Sequence, residues 1–185
     1  FRCKKYWNGK IAGLLHDIGH GPFSHTFDND IIPYIEKKFN KKFNNNTHEI
    51  RSCNILSYLI KKYNLDLSEL EEIFIKSLIK PNEDDIGFIY EIIANKNNSI
   101  DVDKIDYIMR DTKNIGLSYT IDYSRIFNLV RVIDNQLCYS NKLAFDLHEL
   151  FYTRFRLHKQ VYNHKTTKSI EYMIKDLIVN SRLID

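Results

Sequence analysis

The chain has 185 residues, 43% of them apolar, and its 27 Lys and Arg against 24 Asp and Glu give a formal charge of +3. That is enough apolar material for one domain with a sizeable core, and the scattered lysines argue against a basic nucleic-acid arm. Cys3, Cys53 and Cys138, an odd set without CxxC spacing, argue against a disulfide framework or a thiolate zinc site, and no apolar run approaches the roughly 20 residues needed to span a bilayer.

The expectation is a soluble, intracellular protein, in nucleus or cytoplasm, with no membrane partner. "FRCKKYWNGK" lacks the apolar core of a signal peptide, and the chain starts at Phe1 without an initiator methionine. It therefore reads as a single domain over residues 1–185, truncated at its N-terminus and at its C-terminus.

Three prolines and six glycines leave few turns, so helices should dominate. The apolar periodicity predicts helices over Asn8 to Ile18, Asn29 to Phe39, His48 to Lys62, Ser68 to Ile79, Ile86 to Asn95, Val102 to Asp111, Tyr123 to Val130, Ala144 to Lys165 and Ile170 to Leu183. "VRVIDNQLCYS" alternates β-branched and polar residues around Asp-Asn, the pattern of a short hairpin near Val130 to Tyr139. The asparagine-rich stretches "KKFNKKFNNNTHE" and "ANKNNSID" read as loops.

Three stretches concentrate the chemistry. "LLHDIGHGPFSHTFD" holds three of the seven histidines and places His16 and Asp17 at a helix end, followed by His20 and His25 among glycines and a proline. Mixed imidazole and carboxylate ligands suit manganese, iron, zinc or magnesium, and glycines let backbone approach a ligand. A solvated His-Asp pair is the competing reading of the dipeptide alone. In "IDVDKIDYIMRD", Asp103, Tyr107 and Asp111 share a helix face with Lys104 beside them, opposite Ile105, Ile108 and Met109, and Asp106 and Arg110 are spaced for an ion pair. Taken alone, that face also fits a solvated surface. In "YTRFRLHKQVYNHK", Arg154, His158 and Tyr162 edge the apolar stripe of Leu147, Leu150, Leu157 and Val161. A bound anion would satisfy such groups, and so would hydrogen bonds inside the fold. His48, just after the candidate N-cap Thr47, fits a surface histidine equally well.

In this order the three stretches resemble the HD-domain phosphohydrolases, and within them the deoxynucleoside triphosphate triphosphohydrolases, from about Gly9 onward and thinly between Ile50 and Asp84. The resemblance implies an HD-domain helical bundle with one short β-hairpin. It implies a metal-dependent enzyme splitting deoxynucleoside triphosphates, such as dGTP, into deoxynucleoside and inorganic triphosphate. By the same resemblance His16, Asp17 and Asp103 match metal ligands, and His20, His25 and His48 match imidazoles around the reacting phosphate, with His25 and His48 candidates for protonating the leaving oxygen. Lys104, Tyr107, Asp111, Arg154, His158 and Tyr162 match residues holding triphosphate and sugar, the tyrosine crowding a 2′-hydroxyl.

A further family metal ligand, a histidine in an upstream Arg-Phe-x-His-Ser segment, has no counterpart in this sequence, which implies weak metal binding and an inactive fragment. Arg125, Lys142, His164 and Lys165 match part of a regulatory nucleotide site between subunits of a dimer or tetramer. Ser140 stands where those relatives carry arginine, which implies weak or absent activation. Two other readings remain: a phosphohydrolase for another nucleotide, and a catalytically silent HD fold that binds nucleic acid, for which the sequence offers no motif.

Overall fold

The computed structural model describes residues 2–44, 47–117 and 121–181. The helices are α1 (Arg2–Leu15), α2 (Ile32–Phe39), α3 (His48–Tyr63), α4 (Glu69–Ile79), α5 (Phe88–Glu91), α6 (Val102–Asn114), α7 (Tyr123–Leu129), α8 (Ala144–Leu157) and α9 (Lys165–Asn180), with one hairpin, β1 (Val130–Ile133) and β2 (Gln136–Tyr139). The mostly helical class with a short hairpin is thus the observed one. The residues gather into two compact units, Phe1–Asn82 with Lys165–Asp185, and Glu83–His164. No helix among the described residues is long and apolar enough to cross a membrane.

In the first unit α4 packs against both α1 and α3. Ala12, Leu56, Ile75 and Leu78 close the core there with at most 1% of their surface exposed. Cap residues in the sequence set the helix ends. Thr47 caps α3 by accepting from the Ile50 amide at 3.5 Å, and Asn64 ends it in the left-handed region at φ 47°. Between α1 and α2 a π-helical turn, Phe27–Ile31, carries Asp28 and buries Ile31.

The start of α4 is a reciprocal capping box: Ser68 accepts from the Glu71 amide at 3.4 Å, and the Glu71 carboxylate accepts from the Ser68 amide at 3.0 Å and from its hydroxyl at 2.6 Å. The Ser68 hydroxyl, then the Ser68 amide and Lys4, lower the Glu71 carboxyl from 4.5 to about 2. A depressed carboxyl stabilises the fold above its ordinary value and loses that contribution as pH falls through the depressed one. Ser68→Ala is expected to cost about 1 kcal/mol near neutral pH. Melting curves between about pH 5 and about pH 2 should also converge toward low pH, because the variant lacks the depressed carboxyl and so loses less stability on acidification than wild type. Parallel wild-type and variant curves would show that the box does not set this titration.

The second unit is built on Ile105, Ile108, Ile126, Leu143, Leu150 and Leu157, joined by Ile100 and Tyr123. Asp101, 4% exposed, caps α6 by accepting from the Lys104 amide at 2.9 Å. The hairpin pairs Val130 with Tyr139 and turns at Asp134 and Asn135, both with positive φ, which is the mirror-image turn that suits a right-handed strand twist.

Some helix limits differ from the periodicity. The helix expected over Ile86 to Asn95 shrinks to Phe88–Glu91, because buried Asn95 turns its side chain on the backbone and accepts from the amides of Asn97 and Asn98. The long helix expected over Ala144 to Lys165 is three segments: α8, a π-helical turn at His158–Tyr162, and α9. The break comes where the Asn163 amide reaches back five residues to the His158 carbonyl at 2.9 Å. The first helix starts six residues earlier than expected and ends at Leu15. Residues 182–183, the expected end of the last helix, lie outside the described residues.

Candidate metal and phosphate site

In the first unit, α1 stops at Leu15, and the chain then runs through short turns, with the Ile18 amide on the Leu15 carbonyl and the His20 amide on that of Asp17. This loop is pinned to α3. Ser52 donates to the His16 carbonyl at 2.6 Å and accepts from the Gly19 amide at 2.9 Å, while Arg51 Nε donates to the Gly19 carbonyl at 2.6 Å. The contact leaves no room for a side chain at position 19, where a Cβ would stand 2.2 Å from the His48 carbonyl oxygen. The Gly21 face is likewise filled by the Phe27 ring.

The anchored loop brings the imidazoles together. His20 and His48 stack with ring centres 4.0 Å apart, and His25 meets His20 edge-on at 5.0 Å. Asp17 serves two sides at once: Oδ2 lies 3.3 Å from His16 Nε2, and Oδ1 lies 3.7 Å from His20 Nε2 and 3.9 Å from His48 Nε2. His16 Nδ1 donates to the Gly13 carbonyl at 2.8 Å, which fixes that nitrogen as the protonated one and turns Nε2 toward Asp17. His48 Nδ1 likewise donates to Asp28 Oδ2 at 3.2 Å. Ligand atoms of Asp17, His20 and His48 all lie within 4.8 Å of one another, close enough to converge on one ion.

The electrostatics suit a cation. The His16 imidazole beside it, helped by His20 and His48, holds the Asp17 carboxyl below its ordinary value against a smaller opposing effect of burial. Burial, and then repulsion from His48, push the His20 imidazole down, which keeps its nitrogens available as ligands. Its Nδ1 is buried and makes no hydrogen bond among the described residues, standing 3.5 Å from Asp28 Oδ2. Beside the cluster opens a cleft of about 290 Å³ lined by His25, Asp28, Glu36, Thr47 and His48 among others.

In the second unit, α6 exchanges polar contacts with α8 and with the π-helical turn that follows it. Arg154 Nε donates to the Tyr107 hydroxyl at 3.1 Å, and the Tyr162 hydroxyl donates to Asp111 Oδ2 at 2.5 Å. Burial first, and then the Asp111 carboxylate, push the Tyr162 phenol up. His158 meets the Tyr162 ring edge-on at 5.0 Å. Lys104 Nζ lies 2.8 Å from the buried Asp101 carboxylate, and the expected Asp106 to Arg110 pair forms at 2.6 Å. Asp103 sits in the first turn of α6.

Of the residues matched to a regulatory site, Arg125 pairs with Asp146 at 2.6 Å and donates to the Lys142 carbonyl at 2.9 Å. Ser140 caps the turn that holds Lys142. The His164 amide donates to the Val161 carbonyl, and Lys165 opens α9.

The family model of the HD domain matches residues 9–111. The chain belongs to the HD domain family. It is 45% identical over 170 residues to the deoxynucleoside triphosphate triphosphohydrolase SAMHD1 homolog of Dictyostelium discoideum, covering 90% of this chain and 32% of that protein. It is 43% identical over 171 residues to an HD domain-containing protein of Acanthamoeba polyphaga mimivirus, covering 91% and 36%. It is 36% identical over 199 residues to human deoxynucleoside triphosphate triphosphohydrolase SAMHD1, covering 93% and 31%. The chain spans about a third of the length of these relatives.

Three residues of this HD domain's first unit escaped the sequence reading: Asp28, Arg51 and Ser52. Asp28 closes the histidine-rich stretch, and its side chain, 9% exposed, faces both His20 and His48. Arg51 and Ser52 lie one turn beyond His48 on α3, so a reading of His48 that followed its helix by three and four residues would have found them.

Proposed function

We propose that the chain carries the hydrolytic domain of a divalent-metal-dependent phosphohydrolase, acting on deoxynucleoside triphosphates such as dGTP and releasing deoxynucleoside and inorganic triphosphate. The observation that carries this reading is the Asp17 carboxylate, set between His16 on one oxygen and His20 and His48 on the other. Imidazole and carboxylate together fit manganese, iron, zinc or magnesium. His16 and Asp17 would hold the metal, with Asp103 as a further ligand by the resemblance. When bound, a divalent metal lowers the pKa of a water and polarises a phosphoryl oxygen.

The remaining roles belong to side chains. His20 would bind the reacting phosphate. His25 or His48 would deliver a proton to the leaving oxygen; Asp28 holds the Nδ1 side of His48 and leaves Nε2 on the Asp17 side. Lys104 and Arg154 would offset phosphate charge. Tyr107, Asp111, His158 and Tyr162 would hold the triphosphate and sugar, with the Tyr162 ring disfavouring a 2′-hydroxyl. Assembly as a homodimer or tetramer, with Arg125, Lys142, His164 and Lys165 at a nucleotide between subunits, is part of the same proposal. The kinship with proteins named as deoxynucleoside triphosphate triphosphohydrolases supports this substrate class.

The test is release of inorganic triphosphate from deoxynucleotides and ribonucleotides side by side, with a manganese-loaded chain extended upstream to carry the further histidine ligand. Selective turnover of deoxynucleotides is the expected result. Equal turnover of ribonucleotides would replace it with a phosphohydrolase for another nucleotide, and tight RNA binding without turnover with a silent HD fold.

A further inference from the structure

We propose that Arg51 is a positioning residue for the histidine site, fixing the Asp28 carboxylate so that one oxygen faces His48 and His20 together. Arg51 Nη2 takes Asp28 Oδ1, and Arg51 Nε donates to the Gly19 carbonyl at 2.6 Å. Two donors of one planar fork are thus committed in two directions, which leaves the guanidinium little freedom. Its Cζ lies 5.7 Å from the centre of the Phe27 ring, next to Asp28 in sequence.

A carboxylate rotates easily about its last torsion, so an unrestrained Asp28 would not hold one oxygen in place. With Oδ1 held by Arg51, Oδ2 points at His48 Nδ1, 3.2 Å away, and His20 Nδ1, 3.5 Å away. An acceptor at His48 Nδ1 keeps a proton on that nitrogen, so that Nε2 carries the lone pair in the neutral ring and the transferable proton in the imidazolium. Because Arg51 follows His48 by three residues, α3 supplies both the imidazole and the group that orients its partner. Both side chains of the pair are largely buried, Arg51 at 19% and Asp28 at 9% exposure, so water competes little for either.

A simple strut between α3 and the loop would make the Gly19 contact and affect stability alone. The positioning role makes a different demand, on the tautomer of His48, and the kinetic consequence rests on the hydrolase reading above. The test uses ¹⁵N imidazole spectra at about pH 8, above the ordinary imidazole value of about 6.5, on wild type, Arg51→Gln, Asp28→Asn and the double variant. The Nδ1–H tautomer of His48 is expected to dominate in wild type and to lose that dominance equally in all three variants. Arg51→Gln is expected to add nothing in the Asp28→Asn background.

Should Arg51→Gln alone not fold, the double variant, which buries no lone charge, decides against Asp28→Asn. Retention of the wild-type tautomer in folded Arg51→Gln, or a difference between the double variant and Asp28→Asn, overturns the proposal. In turnover, Arg51→Gln is expected to lower kcat by about 10- to 100-fold with KM within about twofold. An unchanged kcat alongside a full loss of melting temperature would reduce Arg51 to a strut. A wild-type protein that hydrolyses no nucleotide, yet gives the expected spectra, would sink the hydrolase reading and leave the positioning role standing.

Discussion

Asp17→Ala is expected to abolish metal binding and hydrolysis together, lowering turnover by on the order of 10³-fold or more, while the chain stays folded. The carboxylate lies within 3.3 to 3.9 Å of three imidazoles, whereas the Asp28 carboxylate meets two of them. Its neighbours hold its carboxyl below the ordinary value of 3.8, so it is ionised at neutral pH and gives up no proton to take a cation. Without it, the site loses the carboxylate that meets all three of these imidazoles, and with it one of the negative charges that balance a dication.

The fold should tolerate the change. The Asp17 side chain is half exposed, and substitutions at such positions usually stay within about 0.5 kcal/mol. Asp17→Asn separates shape from charge: it keeps the volume and should lose metal nearly as completely, because an amide oxygen is a weaker ligand than a carboxylate. Calorimetric titration with manganese, triphosphate release and circular dichroism read the three consequences. Turnover within about tenfold of wild type in Asp17→Ala would remove this carboxylate from the centre of the reaction.

Periodicity and caps made most of the helices legible, and the reasons are local. Thr47 and Ser68 announce α3 and α4 because a hydroxyl at a helix start satisfies an otherwise unpaired amide. The turn at Asp134 and Asn135 announces the hairpin because those residue types tolerate positive φ. What stayed hidden was non-local or irregular. Nothing in the spacing of Asn95 says that its side chain will displace a helix turn, since that depends on its burial. The π-helical turns at Phe27–Ile31 and His158–Tyr162 have no sequence period of their own, and both carry residues of the candidate sites, Asp28 in one and His158 and Tyr162 in the other.

The histidine-rich stretch was legible as a cluster because its residue types are rare in this chain. Its second half was not, because Arg51 and Ser52 reach it from more than 30 positions away, through a helix that crosses the loop. The resemblance supplied the roles of Asp103, Lys104 and Arg154; composition and spacing alone left the first two open to a solvated helix face and the third to hydrogen bonds inside the fold.

Gly19→Ala is expected to destabilise the protein by about 3 kcal/mol or more and to lose hydrolysis with it, although the change adds one methyl group. The new Cβ would lie 2.2 Å from the His48 carbonyl oxygen, 2.4 Å from the Ser52 amide nitrogen and 2.8 Å from the Ser52 hydroxyl. Two of these are backbone atoms of the first turns of α3, so no rotamer change relieves the clash; either the helix or the loop must move. If the loop moves, the Gly19 amide leaves Ser52, the carbonyl leaves Arg51, and the His16, Asp17 and His20 side chains shift relative to His48.

Other glycines calibrate the effect. At Gly21 the obstacle is the Phe27 side chain, which has some freedom to yield, so alanine there should cost less. At Gly9, inside α1, nothing lies within 4 Å of the added methyl, and alanine should stabilise the helix by about 0.5 to 1 kcal/mol. Urea denaturation of the three variants should therefore order them Gly9→Ala, Gly21→Ala, Gly19→Ala from most to least stable. A Gly19→Ala variant as stable as wild type would mean that the loop does not rest on α3 as closely as the site requires, and the shared orientation of Asp17 and the imidazoles would lose its physical basis.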